Sequence, residues 1–329
     1  MGCGPNRVGR IKHVRCVLIY NPVAGIARNG RQEQLRQVKE VLLSAGHEVE
    51  IAATTGADSA SEQAREAVRS GADVVFACGG DGTVHQVIQG LITDTGEPTA
   101  ILGVIPLGSA NALAKHLRLS VDPAKAALEQ INGSPRMIPA GQLLFGEQSR
   151  YFVVMAGAGP DGALVYRVLR GGKERFGRFA YYLHAAILFA TQRFRTFKIE
   201  YVEEDSGKAF SQEAVSAMAV RVDDLGGLFS RLTSRQASVE QTDLQLHILR
   251  PPALLSLPCW FLSGWLGLNK LNPFLKTVSV TSFGCVACSE PAPHFQADGE
   301  WVGGIPMRVS MVPNALRILV PSEAGGKQR

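Results

Sequence analysis

The sequence predicts two architectures in tandem: a doubly wound α/β unit over residues 12–140 and a β-rich unit carrying helices over 141–321, followed by a disordered tail at 322–329. Three observations lead there. From Arg15 to Asn111, short apolar runs alternate with stretches whose apolar residues recur every three or four positions, as repeated strand–turn–helix units of a parallel sheet require. Beyond Pro139 that alternation gives way to strands with few helices between them. At 329 residues the chain also exceeds the size that one hydrophobic core usually serves.

In chain order, Arg15–Tyr20 is the first strand, and Asn21-Pro22-Val23-Ala24-Gly25 breaks it with a turn. Leu35, Val38 and Leu42 mark one helix face, and Gly46 stops that helix. Glu48–Ala52 alternates as a strand, Thr54–Asp58 is a polar loop, and Ala64, Ala67 and Val68 line the next helix. Val74–Ala77 reads as a strand buried on both faces, because its apolar run is unbroken. A helix from Thr83 carries Val84, Val87, Ile88 and Leu91 on one side; Ile101–Ile105 is a further buried strand, and Pro106–Asn111 turns into another helix. In a doubly wound sheet ligands bind outside the carboxyl ends of the strands, so the turns at Asn21, Thr54, Gly79 and Gly108 are expected to converge on one crevice.

The turn Gly79-Gly80-Asp81-Gly82-Thr83 is the strongest chemical signal. Glycines let a backbone approach a phosphate closely and adopt positive φ, and the helix that follows points N–H groups at the anion. Asp81 stands at the mouth, where a carboxylate can hold Mg2+ or orient a hydroxyl. A plain β–α turn with a capping aspartate uses the same letters.

In the second half, Tyr151–Ala156 is a strong strand, a helix begins near Phe179, and Ala214–Val222, Leu244–Leu249, Thr277–Ser282 and Leu316–Val320 are later strands. Gly157–Gly162 matches the spacing of a dinucleotide signature, but Pro160 crowds the turn and the setting is β-rich, so the match is rejected. Asp161 has the alternative of capping a helix from Ala163. Leu254–Leu268 is the most apolar stretch, with two tryptophans and no charge. Pro258, Gly264 and Gly267 interrupt it, and it is too short to span a bilayer. Packing on the β-rich unit and contact with a lipid interface are its two readings.

Composition narrows the class. An apolar fraction of 46% with 19% charged residues describes a globular chain, and Met1–Arg10 lacks the apolar core of a signal peptide, which predicts a cytoplasmic protein. Six cysteines without a framework agree with a reducing compartment, and Cys285-x-x-Cys288 has no second pair to complete a zinc site. The net charge of +5 is concentrated in Arg167, Arg170, Lys173, Arg175 and Arg178, with Arg193, Arg195 and Lys198 following. Such a run is either a solvated face or an attraction to anionic lipid; no recognition helix or stacking pattern points to nucleic acid.

Five segments, Asn21-Pro22-x-x-Gly25, Gly79-Gly80-Asp81-Gly82-Thr83, Pro106-Leu107-Gly108-Ser109-Ala110-Asn111, Gly157-x-Gly159-x-Asp161 and Asp298-Gly299-Glu300, occur in this order over nearly the whole chain. Together they resemble the diacylglycerol kinase-like lipid kinases. The resemblance implies an N-terminal α/β ATP-binding domain, a C-terminal β-sandwich domain for the lipid, ATP and Mg2+ in the cleft between them, and transfer of the γ-phosphate to the hydroxyl of a diacylglycerol or sphingoid-type lipid. It implies that Asn21, Pro22, Gly25, Thr54 and Asn111 complete a nucleotide site whose phosphates meet the amides of Gly79–Thr83, Gly108 and Ser109. Glu300 then serves as general base and Asp81 as organiser of Mg2+-ATP, roles that could be exchanged, with Asp161 and Asp298 supporting the metal. The implied setting is peripheral, at the inner membrane surface, with a homodimer left open. The chain departs from the family pattern at His85-Gln86, which is similar to the sphingosine and ceramide kinase branch, at Ala112, and at Glu240-Gln241-Thr242-Asp243, where a structural Mg2+ site is put in doubt. An NAD kinase-like enzyme, which shares the Gly-Gly-Asp-Gly loop, and a non-catalytic lipid- or nucleotide-binding protein are the alternatives.

Overall fold

The structure, a computed structural model, describes residues 13–22, 28–56, 58–93, 98–170, 194–225 and 237–322. Gly25, the helix expected near Phe179, most of the basic run and the tail beyond Ser322 lie outside the described residues. The chain divides into two compact units. Unit 1 takes the residues up to Gly108, Leu117–Ile138 and the segment from Asn314 onward; unit 2 takes Ser109–His116 and Pro139–Pro313.

Unit 1 is a parallel sheet in the order β2-β1-β3-β4, formed by β1 (Arg15–Tyr20), β2 (Glu48–Ala53), β3 (Val74–Gly79) and β4 (Ile101–Pro106). Helix α1 (Arg28–Ser44) packs with α5 (Pro123–Ile131), and α2 (Ser59–Arg69) packs with α3 (Asp81–Leu91). Every residue of β3 is buried, as its unbroken apolar run requires of a central strand covered on both faces. Gly103 makes room for one of these side chains, because a Cβ there would lie 2.2 Å from the Phe76 ring. Helix α5, which the apolar periodicity did not reveal, is capped by Asp122 Oδ1 accepting from Lys125 N at 3.0 Å, with Pro123 in its first turn. Its fully buried Gln130 accepts from Val104 N and donates to Val104 O, both at 2.8 Å, so a side-chain amide does the work of a neighbouring strand on β4.

Unit 2 is antiparallel. Its strands are β5 (Ser134–Phe145, its first residues in unit 1), β6 (Gln148–Phe152), β7 (Met155–Ala158), β8 (Phe197–Glu203), β9 (Ala209–Ala214), β10 (Ser216–Val220), β11 (Leu244–Leu249), β12 (Leu275–Ala287), β13 (His294–Ala297), β14 (Glu300–Gly304) and β15 (Met307–Val320). One sheet runs β14-β13-β7-β10-β11-β12. Register shifts on β12 between Val280 and Ser282, after which its second half pairs with β8 and with the start of β15, while β8 pairs with β9. One long strand thus joins two parts of a continuous sheet, and Phe152, Phe197, Leu246, Phe283, Phe295 and Val309 belong to one buried cluster. Past Pro313, β15 continues into unit 1 and pairs in parallel with β4 through Arg317 and Ile318. Helices α4 (Ala112–His116), α6 (Pro160–Arg170) and α7 (Ala253–Leu266) complete unit 2.

The expected strand Tyr151–Ala156 is two strands. Val153 and Val154 separate β6 from β7 because the N–H groups of Val153, Val154 and Met155 all donate to the Asp298 carboxylate instead of a neighbouring strand. Helix α6 begins at Pro160, three residues before the expected Ala163, and α3 begins at Asp81 rather than Thr83.

Candidate functional site

In unit 1 the four expected loops stand side by side. Register pairs Tyr20 with Ala53 and with Cys78, and Gly79 with Pro106, so the chain leaves all four strands at one edge of the sheet. Thr54 N donates to Tyr20 O at 2.8 Å and Leu107 N to Gly79 O at 3.0 Å, which fixes the first residue of two of these loops. Asn21 and Pro22 follow β1 on the same edge.

The glycines of this edge are required by packing rather than by backbone angle. None of Gly79, Gly80, Gly82 and Gly108 has positive φ, contrary to the expectation for a phosphate loop. A Cβ on Gly79 would fall 2.2 Å from Thr83 Oγ1, and one on Gly80 would fall 3.3 Å from the Gly108 Cα. The loop after β3 therefore touches the loop after β4, bringing two of the quoted motifs together. Gly80 caps α3 in extended conformation, its carbonyl accepts from Thr83 N and Val84 N at 2.9 and 3.1 Å, and Asp81 occupies the first turn. A helix start of this kind carries partial positive charge, suited to phosphate.

Arg31 was missed by sequence reasoning, since it sits among the polar residues of α1. It is nearly buried and donates to Asn21 O at 3.1 Å and to Leu107 O at 3.2 Å, so one guanidinium ties the β1 loop to the β4 loop. Burial lowers its pKa.

In unit 2, Asp298-Gly299 forms the two-residue turn between β13 and β14, with φ of 49° and 82°, the pattern of a tight hairpin with an Asp-Gly corner. Asp298 is buried, and its carboxylate accepts from Val153 N at 3.0 Å, Val154 N at 2.8 Å and Met155 N at 3.0 Å, while its own N–H donates to Met155 O at 2.8 Å. Glu300, half-buried, is the first residue of β14 and so is held by this turn. Buried Gln296 adds a second brace: its Oε1 accepts from Gly299 N at 3.0 Å and its Nε2 donates to Asp161 Oδ2 at 3.1 Å. Asp161, in the first turn of α6, has its pKa pushed up to about 6 by burial, against the bond from Gln296, and its Oδ1 is buried with no hydrogen-bond partner among the described residues. A Cβ on Gly157 would meet that carboxylate at 2.2 Å. The first glycine of the rejected dinucleotide pattern thus makes space in β7, a strand that is antiparallel to both neighbours.

Beside Glu300, Trp301 Nε1 donates to His294 Nδ1 at 3.2 Å, and Tyr166 of α6 stacks on His294 with centroids 4.1 Å apart. No spacing in the sequence announces this aromatic group, which depends on α6 meeting β13. Ser109 is exposed, and Asn111, with φ of 50°, precedes α4 in unit 2, where its carbonyl accepts from Lys115 N at 3.0 Å.

The 240–243 segment is held by an arginine. Fully buried Arg221 donates to Val239 O at 2.7 Å, and burial lowers its pKa to about 10 against the opposing charges of Asp298 and Asp243. Asp243 accepts from Gln245 Nε2 at 3.1 Å and from the Ser279 hydroxyl. Among the described residues no group of three or more His, Cys, Asp or Glu side chains forms a metal cluster, and Cys285 and Cys288 are both free thiols.

Comparison with known proteins identifies the family. Residues 15–143 match the model of the diacylglycerol kinase catalytic domain. A diacylglycerol kinase of Bacillus subtilis (strain 168) is 36% identical over 237 residues, 72% of this chain and 74% of that protein. One from Staphylococcus saprophyticus is 26% identical over 94% of this chain and 96% of its own length. A solved structure of a proposed diacylglycerol kinase from Bacillus anthracis str. Sterne shares the fold, with a TM-score of 0.74 over 97% of this chain and 99% of that one at 19% identity. Loops at a sheet edge recur in many phosphate-binding proteins, but kinship at this identity over most of both chains does not arise from loops alone, and the chain belongs to the diacylglycerol kinase family of lipid kinases.

Proposed function

We propose that the enzyme transfers the γ-phosphate of ATP to a lipid hydroxyl, with the strand-end loops of the parallel sheet holding the nucleotide and Glu300 as the base. The carrying observation is the packed contact of Gly80 with Gly108 at the start of α3, which sets two strand-end loops and a helix N-terminus around one position. Asn21, Pro22, Thr54, Gly79–Thr83 and Gly108 form the nucleotide edge in this reading, and Ser109 and Asn111, next in the chain, are assigned to the nucleotide with them. Arg31 keeps the loops after β1 and β4 at fixed separation. Glu300 takes the hydroxyl proton as the lipid oxygen forms its bond to the γ-phosphorus and the bond to the ADP oxygen breaks. The Asp298 turn and Gln296 hold Glu300 so that little reorganisation is needed.

The three candidate metal carboxylates differ as donors. Both oxygens of Asp298 accept backbone N–H groups, and Oδ2 of Asp161 is engaged by Gln296 Nε2, which leaves both poorly placed to serve a hard cation. Asp81 opens a helix at the nucleotide edge, and Mg2+ carried on phosphates needs only one or two carboxylates. Asp81 would hold Mg2+, which supplies charge neutralisation to the phosphates when bound. Asp298 and Asp161 are assigned to positioning.

The test is incubation with labelled ATP and a panel of diacylglycerol, monoacylglycerol, ceramide, sphingosine and NAD. Label in at least one lipid is expected; label in NAD alone, or ATP binding with no labelled product, would sink the proposal.

A further inference from the structure

Helix α7 presents a face that a water-exposed helix does not ordinarily carry. Its inward stripe is Ser256 and Leu257, then Trp260 and Gly264 at the next two turns, all buried. The opposite stripe of a surface helix is normally polar. Here it is Leu254 and Leu255, Leu262, then Trp265 and Leu266, and the turn beyond the helix adds Leu271. Leu254 is 85% exposed, Trp265 62% and Leu271 75%. Packing on the β-rich unit, one of the two readings of this segment, therefore accounts for only half of it.

Charge says what covers the other half. No Asp or Glu occurs from Leu244 to Ser289, whereas Arg250 lies just before the helix and Lys270 just after it, both exposed. Arg250 Nη2 donates to Pro273 O at 2.8 Å, which draws the two ends of the segment together and sets a cation at the margin of the apolar stripe. At 14 residues α7 is about 21 Å long, short of the ~30 Å bilayer core, and no helix among the described residues is long and apolar enough to cross a membrane. An apolar stripe with tryptophan and flanking cations is the composition of a helix lying in the plane of a lipid interface.

We propose that α7 and its exit turn, Ala253–Leu271, are the surface with which this kinase enters the interface of an anionic bilayer. Leu254, Leu262 and Trp265 sit among the acyl chains, and Arg250 and Lys270 meet the anionic headgroups. The proposal rests on the reading that the acceptor is a bilayer lipid, and it names the element that brings the enzyme to it.

The test is flotation of the full chain, without nucleotide, on vesicles of neutral phosphatidylcholine and on vesicles with a third of anionic phosphatidylglycerol. Binding is expected to be stronger on the anionic vesicles and to weaken with salt. The Leu262→Ser/Trp265→Ser variant should bind at least ten-fold less, with unchanged melting temperature and unchanged turnover of a short-chain acceptor dissolved as monomer. Brominated acyl chains should quench a fluorescence component that Trp265→Phe removes. Wild-type binding by the double variant, absence of that quenching, or a dimer in solution that the double substitution dissociates would each overturn the proposal, the last assigning the face to a second copy. Vesicle binding that depends on Trp265 in a protein that labels no lipid would support this surface while refuting the proposed reaction.

Discussion

The carboxylates of unit 2 look alike in the sequence and differ in what surrounds them. If Glu300 is the base, Glu300→Gln keeps the shape of β14 and removes the proton acceptor, so kcat should fall by ~100-fold or more with ATP affinity near wild type. Asp81→Asn should instead shift the Mg2+ dependence of the rate, since an amide lacks the charge a hard cation requires. Near-normal kcat in Glu300→Gln would move the base to Asp81. Asp161 gives a pH signature. Its folded pKa, raised by burial to about 6 from an ordinary 3.8, means that the native state keeps a proton the unfolded chain has released. Its contribution to stability is thus complete below about pH 4, is lost as pH rises toward about 6, and stays lost above. Asp161→Asn removes this titration and preserves an acceptor for Gln296, so its melting temperature should gain on wild type as pH goes from 4 to 7. A constant difference across that range, paired with a changed Mg2+ requirement, would make Asp161 a metal ligand after all.

Among the elements, the junction of β3 and α3 is the one whose geometry the proposed function most needs. Gly79 is there because Thr83 folds back over it one turn later. Gly79→Ala forces the methyl and the Thr83 side chain apart, and the start of α3 must move with them. The expected outcome is weaker ATP binding with a stability loss of about 1–3 kcal/mol, the range for overpacking a dense site. Isothermal titration with an ATP analogue and a urea melt separate the two effects. Unchanged nucleotide affinity in a folded Gly79→Ala protein would remove this loop from the nucleotide site.

Taken whole, unit 1 is assembled from three stretches of chain, because β15 comes back to it at Asn314. Ala315, Leu316, Ile318 and Leu319 are fully buried there, and Arg317 and Ile318 supply the strand beside β4. We propose that the functional division follows the two units, so a fragment of residues 13–138 should lack a cooperative thermal transition, and fusing residues 314–322 through a flexible linker should restore one. A sharp melt of 13–138 alone, near that of the full chain, would refute this. The exposed edge of β4 in the short fragment would also invite aggregation.

Features set by neighbouring residues were readable in the sequence. The buried β3, the stop at Gly46 and the turn at Asp81 rest on apolar runs, periodicity and turn chemistry, and these act over a few positions. The order of five short segments carried the family for the same reason. Unreadable were polar side chains whose partners are distant in the chain: Arg31 with Leu107, Gln130 with Val104, Gln296 with Asp161, and Asp298 with the amides of residues 153–155. Nothing local distinguishes such a residue from a solvated one, and only folding brings a buried N–H or carboxylate within reach of the group that must satisfy it. The split of the strand at Val153 and the placing of Glu300 follow from that long-range demand, and so they appear only once the chain has closed on itself.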